Sequence, residues 1–316
     1  WNIQNGRNLY WVGGTGNWED SNHWSLSSGG PGGQCYPIQF DNVFFDANSF
    51  TMAGQIVQVR KYDAFCRDMN WTGVSNNPTF FAFNYAYRLN SFGDFILSPD
   101  MTFNYFGDII FRADHPTIIT SNGKKFKSDM YFKNSLGDWT FTDDMELTWD
   151  NAPHINPSIF QELGTLRTDH DMRIGGSWFS SNENNKNYFG NSKVRFFGGA
   201  YGYYSGVNFQ NLPQNFNAGI SEFIIEDRNE HAAGYISCKY RINFYDVSFY
   251  ENSCWIQDGQ VENKLTFYQY GYPVSNIDND TMNINCLEFK SDGYIASNYP
   301  YLNGHIGINK LKLAPG

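Results

Sequence analysis

The sequence predicts an all-β fold built as a right-handed parallel β-helix, a solenoid of stacked coils, with an aromatic and glycine-rich cap at its N-terminal end. Three observations support this prediction: the composition, an internal repeat, and a tryptophan-rich opening segment. Aromatic residues make up 18% of the 316 residues and charged residues 17%, whereas roughly 25% charged is usual in soluble domains. Because tyrosine, phenylalanine and tryptophan favour strands, helix is not expected to be the main element.

The opening segment, residues 10–24, reads YWVGGTGNWEDSNHW and places three tryptophans among glycines. Trp11, Trp18 and Trp24 are 7 and 6 residues apart, a spacing that fits no single face of a strand. The first coil of a solenoid has an open apolar end, which bulky indoles and tight glycine turns can cover. We therefore predict that the three tryptophans form a structural cap, rather than a ligand site. The predicted cap spans residues 1–75, and the predicted coils span residues 76–316 and continue beyond them.

Self-similarity in the first half supports the solenoid. Residues 90–103, NSFGDFILSPDMTF, recur 44 residues later as residues 134–147, NSLGDWTFTDDMEL, and residues 164–174 are a looser third copy. A fixed period of 20 to 50 residues is typical of solenoids and propellers. The first half alone therefore leaves both architectures open.

A shorter signature in the second half favours the solenoid. The strands YDVSF, NKLTF, NCLEF and NKLKL have central apolar residues 18, 22 and 24 positions apart. The series extends back through EFIIE and KVRF, and its markers are Val194, Phe223, Val247, Leu265, Leu287 and Leu311. Alternation buries one face of each strand and leaves the other in water. A spacing near 22 matches one coil of a pectin-lyase-like β-helix, whereas a propeller blade needs about 40 to 50 residues.

The charge balance and the hydropathy pattern exclude some classes of partner. A net charge of −10 provides no field to attract nucleic acid. No apolar run approaches the roughly 20 residues that span a bilayer, so no membrane span is expected. The start, WNIQNG, has no features of a signal peptide, and we expect the chain to begin mid-protein or at a processed end.

Five cysteines occur without a CxxC pair, which argues against a zinc ribbon or a thioredoxin-like site; they are Cys35, Cys66, Cys238, Cys254 and Cys286. In an exported protein, Cys35 and Cys66 could form a disulfide near the N-terminus. The alternative is that all five are small buried hydrophobic residues.

Three segments near the N-terminus carry a resemblance to a known family. YWVGGTGNWEDSNHWSLSSGG, PIQFDNVFFDANSF and AFCRDMNW, all within residues 10–71, resemble the opening of very large, repetitive, SprB-like surface adhesins of Bacteroidetes. The later strand motifs are also similar to those proteins but less specific. The resemblance implies an extracellular, cell-surface location, export by the type IX secretion machinery, and a role in surface attachment and gliding motility. It also implies a surface polysaccharide or another extracellular ligand as partner.

The predicted function is therefore that of a non-enzymatic adhesin segment that needs no cofactor. One alternative is a β-helical polysaccharide lyase or glycoside hydrolase, because Asp169, Asp171 and Arg173 alternate along the chain and would share a face of a strand. Corner aspartates that hold turns through their own backbone are the competing interpretation of the same residues. A second alternative is a structural spacer without any ligand.

Two further sets of residues are candidates for ligand contact. Tyr201, Tyr203 and Tyr204 lie between glycines in GGAYGYYSG, and exposed aromatic rings can stack on sugars. Asp278 and Asp280 offer hard oxygen ligands for calcium but do not follow the EF-hand pattern. No HExxH motif or phosphate-binding loop is present, so zinc and nucleotide chemistry are not expected.

Overall fold

The computed structural model describes residues 6–148, 156–198, 205–226, 234–250, 254–269, 271–275, 281–290 and 305–313. Within these ranges the chain is all-β, with two short 3-10 turns at Ser21–His23 and Pro213–Asn215 and no α-helix. None of the described residues forms a helix long and apolar enough to cross a membrane. The chain divides into two compact units, Trp1–Glu146 and Leu147–Gly316.

Sixteen strands begin within the first unit. They are β1 (Asn8–Trp11), β2 (Gly16–Asn17), β3 (Trp24–Ser25), β4 (Asn42–Phe44), β5 (Ile56–Gln58), β6 (Asp63–Cys66), β7 (Met69–Asn70), β8 (Thr79–Ala82), β9 (Arg88–Ser91), β10 (Phe95–Ile96), β11 (Thr102–Tyr105), β12 (Ile109–Phe111), β13 (Pro116–Thr120), β14 (Lys125–Phe126), β15 (Met130–Phe141) and β16 (Met145–Leu147). Apart from the antiparallel pair β1–β3, the pairings described below are parallel.

Parallel pairing arranges the strands of the first unit in three columns. The first column is β1, β4, β7, β10, β13 and the end of β15. The second is β2, β5, β8 and β11, and the third is β6, β9, β12 and the start of β15. Thr79 pairs with Ile56 and Thr102 pairs with Thr79, so the chain returns to the second column after 23 residues twice in succession, whereas the step from Gly16 in β2 to Val57 in β5 is 41 residues.

Each column places apolar side chains on top of one another. In the first column the in-register residues are Leu9, Val43, Met69, Phe95, Ile119 and Phe141. All six are buried. Strand alternation directs every second side chain to this face, so the parallel register builds a continuous apolar core.

Fifteen strands lie in the described residues of the second unit. They are β17 (Ile159–Thr168), β18 (Met172–Ile174), β19 (Ser177–Ser180), β20 (Lys186–Tyr188), β21 (Lys193–Phe196), β22 (Ser205–Phe209), β23 (Phe216–Asn217), β24 (Glu222–Ile225), β25 (Gly234–Cys238), β26 (Asn243–Phe249), β27 (Cys254–Gln257), β28 (Gln260–Phe267), β29 (Gly271–Val274), β30 (Thr281–Phe289) and β31 (His305–Lys312).

The longest column of the second unit confirms the strand series predicted from the sequence. It runs through β18, β21, β24, β26, β28, β30 and β31, all parallel. The predicted markers pair in register, in the order Val194, Phe223, Val247, Leu265, Leu287 and Leu311. Leu311 is 48% exposed, whereas the other five are buried. A second column, β17, β19, β22, β25, β27 and β29, is also parallel.

One detail differs from the pattern read in the sequence. Phe95 pairs through Ile119 with Phe141, rather than with Trp139, its counterpart in the 44-residue repeat. The repeat therefore corresponds to two steps of the first column with a shift of two residues, which preserves the inward face. Strand β5, in the predicted cap, pairs in register with β8, in the predicted coils. The all-β class and the large parallel sheets are confirmed.

Candidate ligand-binding surface

The three tryptophans of the opening segment lie in the core. Trp11 and Trp24 are wholly buried and Trp18 is 2% exposed. The Trp24 ring meets the other two edge to face, with centroids 5.1 Å from Trp11 and 5.0 Å from Trp18. Their indoles bond within the same segment, because Trp11 Nε1 donates to the Gly14 carbonyl and Trp24 Nε1 to the Trp18 carbonyl, both at 2.7 Å. Such rings stabilise the fold and present no face to a ligand.

The residues of the enzymatic alternative are engaged with the neighbouring strand. Asp169 Oδ1 accepts a hydrogen bond from the Asn191 amide at 3.1 Å, and Asp171 Oδ1 accepts one from the Lys193 amide at 2.9 Å. The Arg173 guanidinium lies 4.7 Å from the centre of the Phe197 ring. Both carboxylates therefore bond to backbone amides 22 residues further along the chain, rather than to the backbone of their own turns.

Other aspartates at strand ends in the first unit have the same role. Asp94 Oδ1 accepts from the Ile118 amide at 2.9 Å, and the Asp94 amide itself donates to Asp68 Oδ1 at 3.0 Å. Asp143 accepts from both the amide and the hydroxyl of Ser121. Carboxylates of this kind satisfy amides that the strand ladder leaves unpaired.

The cysteines correct one expectation. Cys35 is exposed, Cys66 is fully buried, and both thiols are free, so the structure does not contain the predicted disulfide between them. Cys66 Sγ lies 4.0 Å from the Asn90 carbonyl, and burial raises the pKa of its thiol. Cys238, Cys254 and Cys286 are also free and buried, as the alternative interpretation predicted.

Two sets of predicted contact residues lie outside the described residues: Tyr201, Tyr203 and Tyr204, and the calcium candidates Asp278 and Asp280. In the part of the chain that the structure describes, no group of three or more His, Cys, Asp or Glu residues could hold a metal ion.

The first unit exposes a group of aromatic side chains that the sequence analysis did not single out. We refer to Tyr36, Tyr62, Phe83, Tyr85 and Tyr87 as the aromatic edge. Tyr62 is 70% exposed and Phe83 is 76% exposed, while Tyr36 and Tyr85 are 42% and 45% exposed. Four of the five lie in the connections β5–β6 and β8–β9, and Tyr36 lies between β3 and β4.

Backbone hydrogen bonds hold the two connections against each other. The Val59 amide donates to the Phe81 carbonyl at 2.9 Å, and the Arg88 amide donates to the Tyr62 carbonyl at 2.8 Å. The rings of Tyr62 and Tyr87 meet edge to face with centroids 6.2 Å apart. The two connections therefore form one continuous surface.

Hydrogen bonds within the turn, and one from a buried tyrosine, hold the turn that carries Phe83, Tyr85 and Tyr87. Asn84 accepts the amide of Ala86 on its side-chain oxygen and the amide of Tyr87 on its carbonyl, both at 2.9 Å. The hydroxyl of the buried Tyr105 donates to the Tyr87 carbonyl at 2.8 Å. Partial burial raises the pKa of the Tyr85 phenol. A rigid support of this kind keeps exposed rings in place.

Cations lie beside the aromatic edge. Lys61 Nζ stands 4.7 Å from the centre of the Tyr36 ring. Arg60 and Lys61 are exposed, and neither pairs with a carboxylate of the described residues. Arg88 pairs with Asp63 at 2.9 Å. The sequence signal for this surface is the connection FNYAY beside RKY, residues 83–87 and 60–62, where aromatic and basic residues replace the small polar residues usual in turns.

Comparisons with protein-family models, with curated proteins and with solved structures find no match to this chain.

Proposed function

We propose that this chain is a segment of a secreted cell-surface adhesin that attaches to surface polysaccharide and takes part in gliding motility. The observation that carries the proposal is the in-register parallel stacking, in which the chain of the first unit, from β4 onward, returns to the same column after 20 to 26 residues. The resemblance of residues 10–71 to large gliding adhesins supports the cell-surface location and export by the type IX secretion machinery.

The stacking supports a more specific fold for each unit, a right-handed parallel β-helix of the pectin-lyase-like kind. In the first unit the chain enters the second, third and first columns in that order, as β5, β6 and β7, and then again as β8, β9 and β10. A solenoid repeats such a cycle once per coil. Hydrogen bonds then join each coil to the next along its axis, an arrangement that suits a protein under tension.

Adhesion requires a surface that meets the ligand, and the aromatic edge is the surface that we assign to this role. Four of its rings are exposed, the rings of Tyr62 and Tyr87 are in contact, and backbone hydrogen bonds join the two connections. Contiguous exposed apolar patches mark interaction sites more often than scattered apolar residues do. The buried tryptophans and the backbone-bonded Asp169 and Asp171 have structural partners instead.

Attachment of protein-coated beads to polysaccharide-coated glass tests the proposal. Beads that carry the folded chain should be retained under flow, and beads that carry the heat-unfolded chain should not be. Retention no better than that of the unfolded chain would contradict the adhesin proposal. A parallel assay for reducing sugars and unsaturated products, with Asp171→Asn as the matched variant, tests the enzymatic alternative. If the wild-type chain cleaves polysaccharide and Asp171→Asn abolishes that cleavage, the chain is an enzyme and the adhesin proposal is wrong.

A further inference from the structure

We propose that the aromatic edge binds an acidic polysaccharide, a chain of sugar rings that carry repeated carboxylate or sulfate groups. This inference rests on the proposed function and narrows it from surface glycans in general to anionic ones. It also assigns the contact to the first unit, within residues 36–88, rather than to the tyrosines near residue 201.

The first argument is the arrangement of rings and charges. Tyr62 and Phe83 expose most of their surface, and the apolar C–H faces of sugar rings pack against aromatic faces of this kind. Arg60 and Lys61 directly precede Tyr62 in the chain and are exposed as well. The positive charges therefore belong to the same connection, β5–β6, as the exposed ring of Tyr62.

The second argument is that the charges of Arg60 and Lys61 are not neutralised by a carboxylate within the described ranges. Lys61 lies over the Tyr36 ring at 4.7 Å. Cations that protein carboxylates do not neutralise leave a local positive field for an anionic ligand. The chain as a whole carries a net charge of −10. That net charge opposes a polyanion at long range but is screened beyond about 10 Å at 0.1 M salt, so the preference for an acidic ligand rests on the local charges of Arg60 and Lys61.

The third argument is that a further pair of an aromatic ring and a cation lies one strand away. The Phe106 amide donates to the Ala82 carbonyl at 3.1 Å, which places Phe106 beside the turn that carries Phe83. Phe106 and Lys127 are half-buried; Lys127 Nζ lies 5.3 Å from the centre of the Phe106 ring and donates to Asn104 Oδ1 at 3.0 Å. Neighbouring parallel strands are about 4.8 Å apart, so an extended polymer that lies along the column direction reaches this second pair as well.

Carboxylates near this surface limit where the anion can sit. Asp63 is paired with Arg88. Asp108 has a pKa raised by burial, opposed by the nearby charges of Arg88 and Lys133. Both carboxylates belong to the β6–β9–β12 side of the edge, whereas Arg60, Lys61 and Tyr36 are on the other side of Tyr62 in the chain. The anionic groups should therefore contact Arg60 and Lys61 rather than Arg88.

The test compares binding of the full chain to immobilised polygalacturonate, dextran sulfate and neutral dextran. Wild-type protein should bind either or both anionic polymers more tightly than dextran, and the two anionic arms show whether carboxylate or sulfate is preferred. Arg60→Gln with Lys61→Gln should weaken that binding about fivefold, as expected for two exposed ion pairs. Lys310→Gln with Lys312→Gln removes the same charge elsewhere and should leave binding unchanged.

A second variant tests the rings. Tyr62→Ala with Phe83→Ala should weaken binding to the anionic polymers by at least tenfold, about 1.4 kcal/mol, while the exposed control Leu136→Ala should not. Increasing the salt from about 0.05 M to about 0.5 M should weaken wild-type binding and have less effect on the Arg60/Lys61 variant. Circular dichroism establishes that each variant is folded.

The outcomes separate the two proposals. Tighter binding to dextran than to either anionic polymer, or edge variants that bind like their controls, would overturn this inference and leave adhesion intact. Failure of the wild-type chain to bind any polysaccharide would overturn the proposed function itself.

Discussion

The rings of Phe45 and Trp71 are stacked with their centroids 3.7 Å apart and 6° between their planes. Phe45 follows β4 and Trp71 follows β7, and the Phe45 amide donates to the Asn70 carbonyl at 2.9 Å. The parallel register thus places an aromatic residue at the same position of successive strands. Phe50 and Phe80 contact the same indole, with centroids 6.2 and 5.6 Å away.

Trp71→Ala should lower the free energy of unfolding of the first unit by about 3–5 kcal/mol, because it removes a wholly buried indole and leaves a cavity. Urea denaturation measures the change. Leu136→Ala, at a side chain that is 71% exposed, should change stability by less than about 0.5 kcal/mol. Equal effects of the two substitutions would mean that the stack does not stabilise the unit.

Asn187→Ala should destabilise the second unit by about 3 kcal/mol. Its buried side chain donates to Gln161 Oε1 at 2.8 Å and accepts from Asn211 Nδ2 at 2.7 Å, so its loss leaves polar atoms of two buried side chains without this partner. The exposed Asn184→Ala is the matched control. In thermal unfolding, Asn187→Ala should have a clearly lower melting temperature than Asn184→Ala. A melting temperature of Asn187→Ala equal to that of the wild type would contradict this account of the buried polar side chains.

Gly107→Ala should lower the free energy of unfolding by about 3 kcal/mol, because a Cβ there would collide with the Tyr87 carbonyl oxygen of the neighbouring connection. Gly54 has a positive φ of 72° but open space around it. Gly54→Ala should therefore cost only the backbone strain, about 1 kcal/mol. Urea denaturation of both variants measures the two effects. If Gly54→Ala lowers the urea midpoint more than Gly107→Ala does, the close approach of the connections is not the reason for glycine at position 107.

Asp41 should make stability depend on acid pH. Burial desolvates its carboxyl group and favours a higher pKa, but hydrogen bonds from Arg7 and from the Ile38 amide outweigh burial and lower the pKa below its ordinary value of 3.8. A lowered pKa in the folded state means that the contribution of Asp41 to stability is complete above about pH 4 and is lost as the pH falls through the folded-state pKa.

Asp41→Asn should therefore be less stable than the wild type by about 3 kcal/mol at pH 7, since it breaks a pair joined at 2.6 Å. The difference in the free energy of unfolding between the two proteins should stay constant down to about pH 4 and decrease below that pH. The exposed Asp100→Asn should show no such difference. Urea unfolding from pH 7 to pH 2.5 measures both variants, and a gap between Asp41→Asn and wild type that widens in acid would contradict the assignment.

The in-register strand series could be predicted because five of its six apolar markers are buried, where each is constrained by its neighbours in the column. Val247, Leu265 and Leu287 recur in the sequence because they stack in the structure. The two-residue shift between Phe95 and Phe141 could not be predicted, because moving a strand by two residues keeps the same face inward. The alternation pattern does not distinguish the two registers.

The candidate surface was harder to predict, because exposure of an aromatic residue depends on the register of its strand. Trp24 and Phe83 are both aromatic residues next to strand ends, but Trp24 is buried and Phe83 is 76% exposed. A disulfide between Cys35 and Cys66 was equally plausible in sequence terms, yet one thiol lies in the core and the other on the surface. Spacing along the chain does not carry that information.

Single-molecule force spectroscopy tests the central claim, that a stacked all-β chain carries load while attached to polysaccharide. The chain is tethered by one end and approached with a cantilever coated with polygalacturonate. We expect frequent attachment that soluble polygalacturonate abolishes, followed by extension in regular steps of about one coil, since each coil contacts only its neighbours. An attachment frequency equal to that of a bare cantilever would contradict the claim.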